Sequence, residues 1–472
     1  MAPHSLDSEE ILSSNGEKSL EKYSMEAVSK HNAANDCWLI IWGRVYDVTS
    51  WVPHHPGGSL ILLRAGKDCS HLFESYHPLY VRKILGRYCI GEVEEVANNS
   101  LRCSSIQYSE AGNELFYSTL KERVEAYFAK NKLNARFHPH MLPKSILVIA
   151  GYILFYYLTF FGPPSFALSF LFALAMGYFA AQIGLSIQHD ANHGAYSNVH
   201  WLGYLMSTSL DFVGASSFMW RQQHVVGHHS FTNVENYDPD IRVKDPDVRR
   251  VTYEQPIQKY HSFQHLYLGA LYGLLALKGV LLDDFVAFIT GSIGPVKIPE
   301  MTTLEFGVFI GGKILYTLYM FVLPSFFSHH NVALRVILYI VSQLVCGWTL
   351  AFLFQLAHVV PEAAFPVVDS SDGRPKLHQG WAAMQVRTTT NFSANSMLWT
   401  HLSGGLNYQI EHHLFPSVCH LYYPSIHSIV KETCKDFDVP YHSYPSFWTA
   451  LKAHFLHLKK VGSDNFELHL SG

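Results

Sequence analysis

The residues FALSFLFALAMGYFAAQIGLSIQ (166–188) form a continuous apolar stretch, and HDANH (189–193) follows directly. The stretch is long enough for a helix to cross a bilayer. Residues four apart share one helix face, so His189 and His193 can bind one metal ion at the end of this predicted span. HVVGHH (224–229) and QIEHH (409–413) repeat the arrangement. Imidazoles grouped in this way, without a thiolate, predict a nitrogen-rich transition-metal site, formed by His189, His193, His224, His228, His229, His412 and His413.

The composition is typical of a membrane protein. Of the 472 residues, 49% are hydrophobic and 15% are charged. A formal charge of −4 gives no indication of nucleic-acid binding. The seven cysteines form no CxxC pair, which favours reduced thiols. Residues 1–21 are polar and lack the apolar core of a signal peptide, so we expect a disordered leader that stays in the cytosol.

The apolar stretches predict four membrane spans, at 145–161, 166–188, 304–327 and 332–358. Because all three histidine clusters must reach one site, an even number of crossings must separate them. We therefore expect a fifth apolar stretch, 266–282, to lie in the membrane interface. The connections 162–165 and 324–331 contain no Lys or Arg, whereas the histidine-bearing segments hold Arg221, Arg242, Lys244, Arg249 and Arg250. This asymmetry predicts that the clusters and both termini are cytosolic.

Several other histidines and one lysine need separate interpretation. His329 and His330 fall in a loop on the opposite side, and His261 and His265 begin the interfacial stretch, so neither pair is predicted to bind the metal. His358 ends the last span on the side of the clusters; it is either a metal ligand or a hydrogen-bonded buried histidine. Lys313 lies inside a span, where a charge is costly, and we assign it no function.

A small α+β domain is predicted at 22–97, followed by a polar linker and an amphipathic helix at 98–144. The predicted domain contains HHPGG (54–58) and, further along the chain, His77. Adjacent glycines let the backbone approach a large flat ligand. This segment resembles the cytochrome b5 domain, and the resemblance implies haem b with His55 and His77 as axial ligands, His71 being the alternative. A haem with two histidine ligands transfers electrons and has no open position for oxygen.

From about Lys22 to near the C-terminus the chain resembles the front-end fatty acyl desaturases, di-iron membrane enzymes fused to cytochrome b5. HPGG, HDANH, HVVGHH and a third box that begins with Gln409 carry the resemblance. It implies an all-α membrane domain (145–472) with four transmembrane helices and cytosolic histidine-box helices. It also implies that the seven box histidines are catalytic ligands of two iron ions and that His358 is an additional ligand. Gln409 is a further metal ligand, bridges to the metal through water, or orients another ligand. Asp190 and Glu411 are either hydrogen-bond partners of these imidazoles or solvated carboxylates.

The predicted chemistry is desaturation. Removing two hydrogens from an unactivated alkyl chain requires activated O2. The substrate gives two of the four electrons that reduce O2 to water, and the tethered haem domain supplies the other two. The acidic first hundred residues would suit a basic cytochrome b5 reductase.

Two further stretches, FMWRQQH (218–224) and VKDPDVRR (243–250), resemble moss- and liverwort-type Δ5 acyl-lipid desaturases. We therefore expect Δ5 action on C20 chains of membrane lipids in the endoplasmic reticulum, with Δ6, Δ8 and Δ4 as neighbouring alternatives. A sphingoid-base desaturase, a fatty acyl hydroxylase and a non-enzymatic haem-bearing metal or electron carrier remain alternatives.

Overall fold

The computed structural model describes residues 20–55, 57–94, 106–109, 113–241, 247–371 and 375–463. The predicted leader up to residue 19, most of the predicted linker, and Arg242 and Lys244 lie outside these ranges. The chain divides into two compact units. The first comprises Met1–Phe73 and Tyr80–Leu101, and the second comprises Glu74–Leu79 and Arg102–Gly472.

The first unit is built on a five-stranded sheet. Its strands are β1 (Glu21–Tyr23), β2 (Asn32–Ala33), β3 (Asp36–Ile41), β4 (Arg44–Asp47) and β5 (Cys89–Val93). Their order is β1-β5-β4-β3-β2, with β1 parallel to β5 and the other neighbours antiparallel. The α-helices that begin in this unit are Met25–Ser29, Ser70–Tyr76 and Val81–Leu85, and 3-10 helices span Thr49–His54, Gly58–Arg64 and Gly86–Tyr88.

Both faces of this sheet are covered, because successive side chains of a strand point to opposite faces. Leu39 and Ile41 of β3 belong to one hydrophobic cluster, whereas Ile40 packs with Val28 and Val45 in another. The α+β fold predicted for the N-terminal part is confirmed.

The second unit is mostly helical. Its α-helices are Asn113–Lys130, Met141–Phe161, Phe166–Gln182, His189–Asn192, His200–Ser207, Ser209–Phe212, Ser217–Trp220, Gln264–Leu271, Leu274–Lys278, Asp284–Thr290, Thr303–Thr317, Leu323–Phe327, Val332–His358, Trp381–Arg387, Met397–Leu402, Gln409–Leu414, Tyr423–Asp436 and Phe447–Ser463. π-helical segments span Ile183–Gln188, Arg221–His228, Gly279–Asp283 and Leu318–Val322, and 3-10 turns span Lys259–Phe263, Leu406–Tyr408 and His420–Tyr422. Three two-residue strand pairs join Gln107–Tyr108 to Lys376–Leu377, Ser292–Ile293 to Val296–Lys297, and Asn391–Phe392 to Ser443–Tyr444.

Four helices in the described ranges are long and apolar enough to cross a membrane, which confirms the predicted number of spans. They are Met141–Phe161, Phe166–Asn192, Thr303–Phe327 and Val332–His358. Large apolar side chains on their outer surfaces are exposed, among them Leu147, Leu171, Ile314 and Phe326. Such a surface is suited to lipid rather than to water.

The predicted interfacial stretch is broken into short helices between Gln264 and Thr290, and none of them qualifies as a span. Asp284, which lies in this region, neutralises the positive charge of Lys313 inside the third span. Lys313 Nζ contacts Asp284 Oδ2 at 2.5 Å and donates to the Gly214 carbonyl oxygen at 2.6 Å. A charge at membrane depth requires such partners, so Lys313 has a structural explanation.

Close helix packing holds the second and fourth spans together. A Cβ atom on Gly177 would lie 2.2 Å from the backbone oxygen of Ser342. Small residues allow this approach of two backbones in a membrane. The glycine therefore fixes the helix that carries the first histidine cluster against the helix that ends at His358.

We expect Gly177→Ala to lower the thermal unfolding midpoint of the detergent-solubilised protein, because overpacking costs about 1–3 kcal/mol. Gly307→Ala is the matched control, since a Cβ there meets no atom within 4 Å. The control should be neutral or stabilising, because alanine is the better helix former. Equal midpoints for both variants would contradict the packing argument.

Candidate metal centre

The first histidine cluster follows a π-helical segment, and the second cluster lies in another one. The segment Ile183–Gln188 precedes His189, and Arg221–His228 contains the second cluster. A π-turn closes on the fifth residue, as the hydrogen bond from His229 N to His224 O at 3.0 Å shows. His228 and His229 therefore both lie near His224, with ring centroids 5.2 and 4.7 Å away.

The three clusters and His358 meet in one buried site. Within each of three overlapping sets, the potential ligand atoms lie within 4.8 Å of one another. The first set is His189, His193, His224 and His412; the second is His228, His358 and His413; the third, which links them, is His229, His412 and His413. All eight side chains are buried. The seven box histidines that the sequence singles out are thus brought together in groups that could hold metal.

Outer hydrogen bonds fix the Nδ1 atoms of most of these imidazoles. Carboxylates accept from the second cluster: His228 Nδ1 is 2.9 Å from Asp238 Oδ2, and His224 Nδ1 is 3.3 Å from Asp240 Oδ2. A neutral imidazole that donates through Nδ1 keeps its lone pair on Nε2. Such partners orient a metal ligand and raise its basicity.

Uncharged groups are the Nδ1 partners of four further histidines. His413 Nδ1 is 2.8 Å from Gln385 Oε1, His412 Nδ1 is 3.2 Å from the Tyr423 hydroxyl, and His358 Nδ1 is 3.4 Å from the Thr388 carbonyl oxygen. Tyr76 contacts His193 Nδ1 at 2.6 Å.

The inward-facing atoms fit a metal. The Nε2 atoms of His189, His193 and His412 are buried without a hydrogen-bond partner. His224 Nε2 and His229 Nε2 face each other at 3.2 Å. Buried polar atoms normally have partners, and a metal cation would satisfy this convergent group of unpartnered nitrogen atoms.

Electrostatics favours the metal-binding, neutral form of five of these imidazoles. Burial, followed by neighbouring histidines, lowers the pKa of His193, His229, His412 and His413 well below the usual value. Burial lowers the pKa of His224 to about 3. At His228 burial acts in the same direction, but the Asp238 carboxylate raises its pKa overall. Neutral imidazole is the metal-binding form.

Gln409 lies between two of these histidines. Its Nε2 is 2.9 Å from His358 Nε2 and 3.2 Å from His413 Nε2. Its Oε1 is buried and has no partner. The amide nitrogen donates to these two imidazole lone pairs, which suits a ligand-orienting role for Gln409. A metal-binding role would use the unpartnered Oε1 instead.

The two carboxylates predicted beside the ligands have different partners. Asp190 Oδ2 is 2.7 Å from His420 Nδ1, whereas Asp190 Oδ1 is 3.7 Å from His189 Nδ1, beyond hydrogen-bond distance. Glu411 contacts His427 and Tyr441. Both predicted alternatives are wrong: neither carboxylate hydrogen-bonds a ligand imidazole, and neither is solvated, because both are buried. Asp238 and Asp240 are the carboxylates that hold ligand imidazoles. They were not predicted, although both follow the second cluster within twelve residues.

Other histidines lie outside the three sets, as predicted. His330 Nε2 pairs with the Ser169 hydroxyl, and His329 is exposed. His261 Nδ1 accepts from Gln258 N and its Nε2 contacts the Asp247 carbonyl oxygen.

The first unit contains a second candidate site. His55 Nδ1 is 3.1 Å from the Gly58 carbonyl oxygen, a contact that orients the ring. A Cβ atom on Gly57 would lie 2.8 Å from His55 Cε1, so only glycine fits beside this ring. These contacts suit a haem ligand at His55. His77 directly follows the helix Ser70–Tyr76, within Glu74–Leu79.

A buried polyhistidine centre at the ends of membrane helices, together with a cytochrome b5-like fold, defines a membrane oxidoreductase class. Models of two families match the chain: fatty acid desaturase at residues 164–445, and the cytochrome b5-like haem/steroid binding domain at 24–94. The chain belongs to the fatty acid desaturase family and to its front-end class.

Three relatives match nearly the whole chain. It is 58% identical to acyl-lipid (8-3)-desaturase of Physcomitrium patens, over 99% of this chain and 100% of that protein. It is 37% identical to acyl-lipid (8-3)-desaturase B of Dictyostelium discoideum, over 96% of this chain and 97% of that protein. Identity to Delta(5) fatty acid desaturase A of Dictyostelium discoideum is 35%, over 94% of both chains.

We expect Asp238→Asn to release non-haem iron 10–100-fold faster to a ferrous chelator, the usual cost of losing an outer partner. Asp238 Oδ2 accepts from His228 Nδ1 and Asn233 N, and Oδ1 accepts from Asp240 N. An amide can accept at only one of its two ends, so Asp238→Asn loses the partners at the other end. Asp369→Asn is the matched control, because Asp369 pairs with the exposed His378 at 3.1 Å. Equal release rates in the two variants would contradict the assigned role of Asp238.

Proposed function

We propose that the protein is a Δ5 front-end desaturase that acts on C20 chains of membrane lipids. The single observation that carries the proposal is the convergence of eight buried histidines, in sets suited to two metal ions, at the ends of membrane-spanning helices. Two iron ions bound there would supply the oxygen activation that side chains lack. The seven box histidines, with His358 and Gln409 as additional ligands, would hold them.

The electron balance accounts for the N-terminal domain. Converting CH2–CH2 and O2 into CH=CH and two waters consumes two electrons and two protons beyond those that the substrate provides. A haem b held by His55 and His77 would deliver the electrons one at a time. Tethering keeps this donor at high effective concentration. A cytochrome b5 reductase is the partner that would reduce the haem.

The membrane arrangement supports an acyl-chain substrate. With four spans, the clusters at 189–193, 224–229 and 409–413 lie on one side, near the apolar interior in which an acyl chain resides. We place this side, and both termini, in the cytosol at the endoplasmic reticulum. Basic residues such as Arg221, Arg249 and Arg250 lie in the histidine-bearing segments, as the positive-inside rule requires.

The relatives guide the choice of substrate and position. The protein that is 58% identical is named an acyl-lipid desaturase, and a 35% identical relative is named a Delta(5) desaturase. A relative named sn-1 linoleoyl-lipid 6-desaturase matches 74% of this chain at 32% identity. These names favour a lipid-linked substrate and the Δ5 position, with Δ6 as the alternative.

Yeast that expresses the chain should convert dihomo-γ-linolenic acid to arachidonic acid, measured by gas chromatography of its lipids. His358→Ala should abolish the product, because it removes a ligand from the second histidine set. The control His329→Ala should retain it, since His329 is exposed and outside the three sets. Conversion of C18 or C22 chains alone would overturn the Δ5 assignment, and activity in His358→Ala would overturn the role of His358.

Haem ligation is tested separately by absorption spectroscopy of the purified protein. His55→Ala and His77→Ala should each lose the low-spin spectrum of a haem with two histidine ligands, because each removes one axial ligand. The control is His71→Ala, which should keep that spectrum. A spectrum lost in His71→Ala and kept in His77→Ala would assign the second ligand to His71.

A further inference from the structure

The short segment Glu74–Leu79 belongs to the second unit, although it lies inside the cytochrome b5-like sequence match at 24–94. It is held there along its whole length by side chains of the second unit. Lys121 Nζ contacts Glu74 Oε2 at 3.2 Å, Arg136 donates to the Tyr76 carbonyl oxygen at 3.2 Å, and the Leu79 N–H donates to Glu125 Oε1 at 3.0 Å.

Tyr76, in the middle of this segment, contacts the candidate metal centre. Its hydroxyl oxygen is 2.6 Å from His193 Nδ1, and the two ring planes are inclined by 24°. His193 is fully buried, and its Nε2 is one of the unpartnered atoms that converge in the first histidine set. When Nε2 keeps its lone pair, Nδ1 carries the proton and donates it to the Tyr76 oxygen.

We infer that Tyr76 is a positioning residue of the metal centre: its hydroxyl fixes the tautomer and ring orientation of His193. The inference rests on the proposed function in that it takes His193 as a metal ligand. It follows that the stretch matched by the cytochrome b5-like family, which includes Tyr76, contributes a hydrogen bond to the metal centre.

The other ligand imidazoles show why this contact matters. The Nδ1 partners of four other ligand imidazoles lie between residues 238 and 423 of the second unit. They are Asp240 for His224, Asp238 for His228, Tyr423 for His412 and Gln385 for His413. For His193 the corresponding partner comes from a segment more than one hundred residues earlier in the chain. Outer partners of metal-bound histidines typically contribute 10–100-fold to metal affinity or activity.

The test compares the full-length holoprotein with Tyr76→Phe. Phenylalanine keeps the ring and removes only the oxygen, so we expect non-haem iron to be released 10–100-fold faster to a ferrous chelator. With cobalt(II) in place of the iron, the d–d absorption bands of the variant should shift, because the orientation of one imidazole ligand changes. The haem spectrum, recorded on the same samples, should keep its low-spin form.

Tyr272→Phe is the matched control. It also removes a hydroxyl hydrogen-bonded to a buried imidazole, His454 Nε2 at 3.0 Å, but that histidine belongs to none of the three sets. Its iron release and cobalt spectrum should equal those of the wild type. A general loss of packing would affect both variants, whereas the inferred role affects Tyr76→Phe alone.

Unchanged iron release and unchanged cobalt bands in Tyr76→Phe would overturn the inference. If that variant could not be purified, Arg136→Gln would replace it, because it releases the Tyr76 carbonyl and should also speed iron loss; an unchanged rate there would equally overturn it. Failure of the proposed function looks different: the wild-type protein itself would then bind no iron beyond the haem.

Discussion

The structure depends on keeping eight buried imidazoles neutral, with their inner nitrogen lone pairs directed at a common centre. Burial achieves the first condition, because it lowers the pKa of most of these histidines and so removes the competing proton. Outer hydrogen bonds achieve the second, since an Nδ1 that donates outward leaves Nε2 free to bind a metal. Without metal ions, these converging lone pairs would be a costly group of unsatisfied buried atoms.

The fold can be understood as the scaffold that meets this constraint. Two pairs of membrane helices return the chain to the same side, so that segments more than two hundred residues apart meet. Gly177 allows the second and fourth spans to pack closely, which sets His189 and His358 at neighbouring helix ends. In the π-turn at Arg221–His228, the consecutive residues His228 and His229 both lie near His224. An α-helix is less suited to this arrangement, because its turn closes one residue earlier. Lys313 and Asp284 neutralise each other beside the third span.

Much of this was predictable from the sequence, because it follows from local spacing. Apolar length predicted the four spans, and the requirement that the three clusters share one side predicted that 266–282 does not cross the membrane. The HPGG motif predicted the small N-terminal α+β fold. The outer partners were not predictable in the same way. Gln385 and Tyr423 carry no local signal, since each acquires its role only when the chain folds, and the only local signal of Asp238 is its position shortly after the second cluster. Glu411 shows the opposite error: its position beside His412 suggested a partner for a ligand, but its helical position directs it toward His427 and Tyr441.

The central claim is that the polyhistidine site binds two iron ions. The most direct measurement is elemental analysis of the purified full-length protein, with haem quantified independently on the same sample. The account predicts two iron ions per chain beyond the haem iron, and a large loss of that iron in His412→Ala, because His412 belongs to both the first and the third histidine sets. A stoichiometric content of zinc, with no iron beyond the haem, would contradict it.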